Sequence, residues 1–253
     1  MSKFTGDNRL MPFVDFSRSH PLYCIYCGAP ATTREHVPSR TFLKKPYPSD
    51  LPVLPACEKC NNGWSSDELY TNTYISCMKS INEQKDDTAL QITDKDRKET
   101  IEAKRAAKTF LDTGEFSYDI RIKKVLSKLA IGHAVYELAE GYYLPYEERE
   151  IASVNYTFRS TIGETNWLNL DRIEPIGNMF YPEVGARLWQ SLFVLEEKGD
   201  NKSIAVPKNK VFIDWSCIQD GYYRYITIPE GDEIRVKMIL LDFLFGEVVI
   251  SFH

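Results

Sequence analysis

The sequence predicts an α+β fold: a small metal-stapled unit at the N-terminus, then helices, then an antiparallel β-sheet module that ends the chain. Three observations carry this expectation. Cys24 and Cys27 are answered thirty residues later by Cys57 and Cys60, and two CxxC knuckles so spaced can fold four thiolates around one tetrahedral zinc. Between Ser65 and Ala139 apolar residues recur at helical spacing, whereas beyond Pro145 short stretches alternate apolar and polar side chains as strands do. A chain of 253 residues accommodates two units, expected at 1–85 and 86–253.

Taken in order, residues 1 to about 20, with Gly6, Pro12 and scattered aromatics, read as an arm. Leu22 to about Glu68 is the zinc-bounded motif: the first knuckle, a Pro38-Ser39-Arg40 turn, a loop with Pro46, Pro48 and Pro52, then Val53-Leu54 and the second knuckle. The expectation is two short strands leading into a helix. Ser65-Ser66-Asp67 is expected to cap that helix or its continuation, with Leu69, Tyr70, Tyr74 and Met78 on one face and Asp86-Asp87 at its end.

Asp94 to Phe110, rich in Lys, Glu and Ala, predicts an exposed helix whose charge run is a solvated face. Ile122 to Ala139 predicts a more buried one, with Val125, Leu126, Leu129, Ala130, Val135 and Leu138 on its apolar face and His133 among them as a core residue. Ile151–Phe158 alternates as a strand, Val211–Trp215 and Tyr222–Ile228 flank a Gln219-Asp220-Gly221 turn, and Ile234 onward repeats the pattern. Glu183 to Leu192 reads as a short helix. Trp167, Trp189, Trp215, Tyr222, Tyr223 and Tyr225 suit either a base-stacking platform or, more commonly in strands, core packing.

Composition narrows the class. At 43% hydrophobic and 26% charged the chain is of ordinary globular type, neither disordered nor fibrous. Its longest apolar stretch, Met238 to Phe245, is broken by Asp242 and falls short of the roughly 20 residues that cross a bilayer. Met1 to Asp7 lacks an apolar signal core, so a cytoplasmic, reducing compartment is expected. Four of the six cysteines then read as zinc ligands, and Cys77 and Cys217 as core thiols. The net charge of −5 hides an asymmetry: residues 1–64 carry eight Lys and Arg against five Asp and Glu, which suits approach to a phosphate backbone.

A closed four-thiolate zinc has no free coordination position, so any hydrolytic chemistry needs a second metal held by oxygen and nitrogen groups. Glu35 and His36 lie between the knuckles, and Asn61 follows Cys60 directly. A carboxylate and an amide oxygen make a hard, water-rich site for Mg2+ or Mn2+, beside which a neutral His36 can take a proton from water. Arg34, Arg40, Lys44 and Lys45 would neutralise flanking phosphates. The competing reading is structural: Glu35 pairs with Arg34 or Arg40, and His36 buttresses the zinc loop.

The run Cys24-x-x-Cys27, Glu35-His36-Val37-Pro38, Val53-Leu54-Pro55-Ala56-Cys57-x-x-Cys60-Asn61 resembles the HNH endonucleases of the ββα-metal fold, in the branch with a four-cysteine zinc staple. The resemblance covers about residues 22 to 70. It implies that His36 is the general base, Glu35 the acidic metal ligand before it and Asn61 the last metal ligand, with Asn62 a weaker substitute. The asparagine that orients the base in the family has no clear counterpart; Asp50 or a backbone carbonyl near Leu51 could serve. The resemblance implies a DNA endonuclease, with a role in defence or a mobile element. The alternative is a zinc-stapled module that binds nucleic acid or protein without catalysis. The segment 86–253 resembles no named family, and DNA binding, ligand sensing, dimerisation and docking of a partner protein all stay open for it.

Overall fold

The computed structural model of the chain describes residues 23–49, 51–83, 87–114, 119–138, 149–170, 174–176, 192–193, 211–213 and 215–252. Its first knuckle is closed by a bridge between Tyr23 and Pro30 and by Gly28 N donating to Cys24 O. Gly28 sits at φ 69°, a left-handed conformation that costs least without a Cβ. Strand β1 (Thr33–His36) then pairs antiparallel with β2 (Val53–Ala56), Thr33 opposite Ala56 and His36 opposite Val53. A short 3-10 turn over Arg40–Phe42 interrupts the connection, and Phe42, Leu43 and Leu51 pin it to the core.

Helix α1 (Glu58–Gly63) follows β2 directly, and α2 (Ser65–Asn82) follows α1. The expected cap at Ser65-Ser66-Asp67 is not formed: the N-cap is Trp64, which makes no side-chain cap bond. Its backbone stays in the right-handed helical region, at φ −96° and ψ −9°, so the chain passes between helices through Trp64 and Glu68 N bonds to Trp64 O. Helix α3 (Lys98–Thr113) buries only Ala103 and Ala107 and ends at Gly114, φ 70°, in keeping with a mostly solvated face.

Helix α4 (Ile120–Leu138) is the middle of the molecule. Ile122, Val125, Leu126, Leu129, Ala130 and Ala134 join the main core with α2 and the sheet. Ile131 packs against the cluster of Cys24, Tyr26, Ala56 and Cys57, and Tyr136 and Val135 pack with Val37 and Leu54. Burial on both sides explains why its apolar residues spread beyond one stripe. Two glycines mark the closest approaches: a Cβ on Gly132 would lie 3.2 Å from Val37, and one on Gly246 would lie 2.7 Å from Leu126.

The chain closes in a five-stranded antiparallel sheet of order β3-β10-β9-β8-β7. Its strands are β3 (Arg149–Phe158), β7 (Ser216–Gln219), β8 (Tyr223–Glu230), β9 (Glu233–Leu240) and β10 (Leu244–Phe252). Helices α5 (Arg159–Ile162) and α6 (Glu164–Leu170) follow β3, and Trp167 covers Ile239 and Phe245. A three-stranded sheet joins β4 (Glu174–Ile176), β5 (Leu192–Phe193) and β6 (Val211–Ile213). The strand expected at Val211–Trp215 therefore does not pair across the Gln219-Asp220-Gly221 turn. Ser216–Gln219 does, because its backbone is the one that turns back at Tyr222 N to Gln219 O. Leu192 lies in a strand, while Glu183–Ser191, including Trp189, falls outside the described residues. No helix among the described residues is long and apolar enough to cross a membrane.

The boundary expected near residue 85 falls among residues outside the description. On either side of it, Tyr70, Tyr74, Ile75 and Met78 of α2 share one core with α4 and the sheet. Arg149, at the start of β3, donates to Ile25 O in the first knuckle.

Candidate metal centre and active site

The two knuckles meet. The ligand atoms of Cys24, Cys27, Cys57 and Cys60 all lie within 4.8 Å of one another, and Cys27 Sγ is 3.6 Å from Cys57 Sγ. Sulfurs about 2.3 Å from a zinc at tetrahedral angles are separated by about 3.8 Å, so the four thiols form a group able to hold a metal such as zinc. Cys57 sits at the N-terminus of α1, where Cys60 N donates to its Sγ at 3.4 Å. That bond is the main reason its thiol falls to about 7, whereas burial pushes Cys24 and Cys60 up.

Of the other thiols, Cys77 is buried and donates to Ala89 O at 3.3 Å. Cys217 is exposed on β7, so its expected core position is corrected: β7 is the edge strand of the sheet, and its outward residues meet solvent.

Alternation along β1 puts Thr33 and Glu35 on one face and Arg34 and His36 on the other. Glu35 points inward and is 5% exposed; Arg34 is exposed and His36 half-buried. Asn61 is brought to β1: its Nδ2 donates to Thr33 Oγ1 at 3.0 Å and to Arg34 O at 3.2 Å. With the amide nitrogen so engaged, its Oδ1 is the group left to accept from solvent or a cation. Asn62 is exposed. Glu35, His36 and Asn61 thus share one hairpin-and-helix unit, but among the described residues the four cysteines are the only His, Cys, Asp or Glu group gathered tightly enough to hold an ion.

Glu35 has a partner that sequence reasoning missed. Lys128 Nζ of α4 is 3.0 Å from Glu35 Oε1 and 2.6 Å from Glu68 Oε1, and Glu68 Oε2 accepts from Ser39 Oγ at 2.8 Å. Burial raises the Glu35 pKa, and the lysine only partly offsets it. The available signal was Lys128 itself, a lysine set among Val125, Leu126, Leu129 and Ala130, since a buried lysine needs an acid.

The expected phosphate contacts are spread around the hairpin. Lys44 and Lys45 are exposed, and Gln219 of β7 grips the Lys44 backbone, accepting from its N at 2.7 Å and donating to its O at 2.8 Å. Arg40 lies over the Tyr47 ring, 5.5 Å from its centroid. Of the aromatic set of the C-terminal module, Trp167, Tyr223 and Tyr225 are buried, and Trp215 and Tyr222 are half-buried. His133, fully buried, shares a 2.8 Å hydrogen bond with Tyr223 Oη, as expected of a core histidine. Asp50 lies outside the described residues, and Leu51 is buried.

Comparisons of this chain with protein-family models, with curated proteins and with solved structures each found no match.

Proposed function

We propose that the chain is a metal-dependent endonuclease of the HNH type that hydrolyses phosphodiester bonds in DNA, with zinc at the four cysteines as a structural staple. The observation that carries this reading is the fixing of Asn61: a residue adjacent to Cys60 is locked by two hydrogen bonds onto the strand that holds Glu35 and His36. The residues fit a catalytic Mg2+ or Mn2+ in their donor chemistry. Glu35 Oε2 is a buried carboxylate oxygen without a hydrogen bond, and Asn61 offers an amide oxygen, both hard donors of the kind that bind Mg2+ or Mn2+. Bound there, such a cation would polarise the scissile phosphate and stabilise the leaving oxygen. His36 takes the proton from the attacking water as general base. Arg34, Lys44 and Lys45 hold the backbone on either side, so that binding is salt-dependent and carries little sequence preference.

A second reading, a zinc-stapled binding module without catalysis, is favoured by one observation: among the described residues the four cysteines are the only His, Cys, Asp or Glu group gathered tightly enough to hold an ion. Cleavage of supercoiled plasmid with Mg2+ or Mn2+ separates the two. Nicking by the purified wild type that is lost in Glu35→Gln supports the nuclease. Retained DNA binding with no cleavage under any divalent metal supports the module.

A further inference from the structure

Glu35, Glu68 and Lys128, respectively 5%, 5% and 2% exposed, meet beneath the hairpin. Each carboxylate gives its Oε1 to the ammonium. Glu68 Oε2 accepts from Ser39 Oγ and, at 3.3 Å, from Thr41 Oγ1, which fixes the turn that follows His36. Glu35 Oε2 is buried and accepts nothing. Two acids against one base in an apolar interior are a poor way to hold elements together, because well-packed apolar side chains of similar volume often do so as well or better. The arrangement is accounted for by its effect on Glu35: one oxygen is taken, the carboxylate plane is set, and the other oxygen is left unengaged.

We infer that Lys128 and Glu68 are positioning residues for the cation-holding carboxylate of Glu35. This rests on the nuclease reading above and deepens it. Groups that hydrogen-bond a metal-ligating carboxylate orient it and tune its affinity for the ion. Lys128 does so from α4, whose neighbouring residues pack on the sheet. The geometry at Glu35 is therefore set by the C-terminal module as well as by the zinc unit, which gives that module a part in the chemistry without contact with DNA.

The test uses the full chain loaded with zinc. Mn2+ affinity is read from the EPR signal of free Mn2+, and the Mn2+ dependence of plasmid cleavage is measured alongside. Lys128→Met, similar in length but uncharged, weakens Mn2+ binding by about tenfold to a hundredfold. It raises the Mn2+ concentration for half-maximal cleavage by the same factor, while the rate at saturating Mn2+ stays near wild type. Glu68→Gln keeps an acceptor for Ser39 but loses the charge that anchors Lys128; it shifts Mn2+ affinity in the same direction and decides the matter if Lys128→Met does not fold. Unchanged Mn2+ affinity in a folded variant with full zinc, or a loss confined to the saturating rate, overturns the positioning role alone. A wild type that binds no Mn2+ beyond its zinc centre overturns that role together with the nuclease reading.

Discussion

At the scale of single residues, the chemistry proposed for His36 and the ligation proposed for Glu35 and Asn61 are separable. His36→Ala is expected to slow single-turnover cleavage by roughly 10² to 10⁴-fold, the usual loss for a general base, with zinc content and DNA affinity near wild type. Asn61→Ala is expected instead to raise the Mg2+ needed for activity and to recover at high metal, since the amide that Thr33 and Arg34 hold in place is gone. A wild-type rate in His36→Ala would show that another group is the base. The residues of this site differ in how far the sequence discloses them. The four cysteines announce themselves because knuckle spacing is local. Lys128 does not, because it stands 93 positions from Glu35 and only the packing of α4 against the hairpin brings the two together. The competing reading, in which Glu35 pairs with Arg34 or Arg40, considered neighbours in sequence, and Arg34 lies on the opposite face of β1.

At the scale of elements, α4 depends on its first residues. Asp119 Oδ1 accepts from Arg121 N at 2.8 Å, Asp119 Oδ2 pairs with Arg121 Nη2 at 2.9 Å, and Asp119 N donates to Tyr156 Oη. Burial pushes the Asp119 carboxyl up, but its bonds to Arg121 and Tyr70 prevail and hold it below its ordinary value. Its folded pKa is thus lower than its unfolded one, so its contribution is present above the unfolded value and lost as pH falls through the folded one. Asp119→Ala is expected to cost about 1 to 2 kcal/mol near neutral pH, with its urea midpoint converging on wild type in acid. Equal differences at both pH values would contradict the assignment. The four-cysteine unit makes a comparable prediction under the proposed zinc staple: Cys57→Ser should lose bound metal and expose residues 23–64 to protease, because a structural zinc contributes on the order of 10 kcal/mol of binding free energy to folding. Helix α4 was legible from its periodicity to within two residues at its start. The partner strand of β8 was not, since the apolar run Val211–Ile213 reads more strongly as a strand than Ser216–Gln219, and only the turn at Tyr222 decides between them.

At the scale of the whole molecule, α4 lies between the four-cysteine hairpin and the antiparallel sheet. It lies close against β10, where a Cβ at Gly246 would meet Leu126 at 2.7 Å. Gly246→Ala is expected to destabilise the chain by about 1 to 3 kcal/mol through overpacking, read as a lower urea midpoint. An unchanged midpoint would mean that Leu126 moves aside. The α+β order of the chain was legible, because helical and alternating periodicities occupy different halves. The sharing of a core between α2, α4 and the sheet was not, since periodicity says which face is buried but not against what. The central claim is that the hairpin holds a catalytic cation beside a zinc staple. Anomalous diffraction from crystals of the zinc-loaded protein grown with Mn2+ tests it most directly. The expected result is zinc among the sulfurs of Cys24, Cys27, Cys57 and Cys60 and a separate Mn2+ peak held by Glu35 and Asn61. Zinc at the four cysteines with no Mn2+ peak at Glu35 at saturating Mn2+ would contradict it.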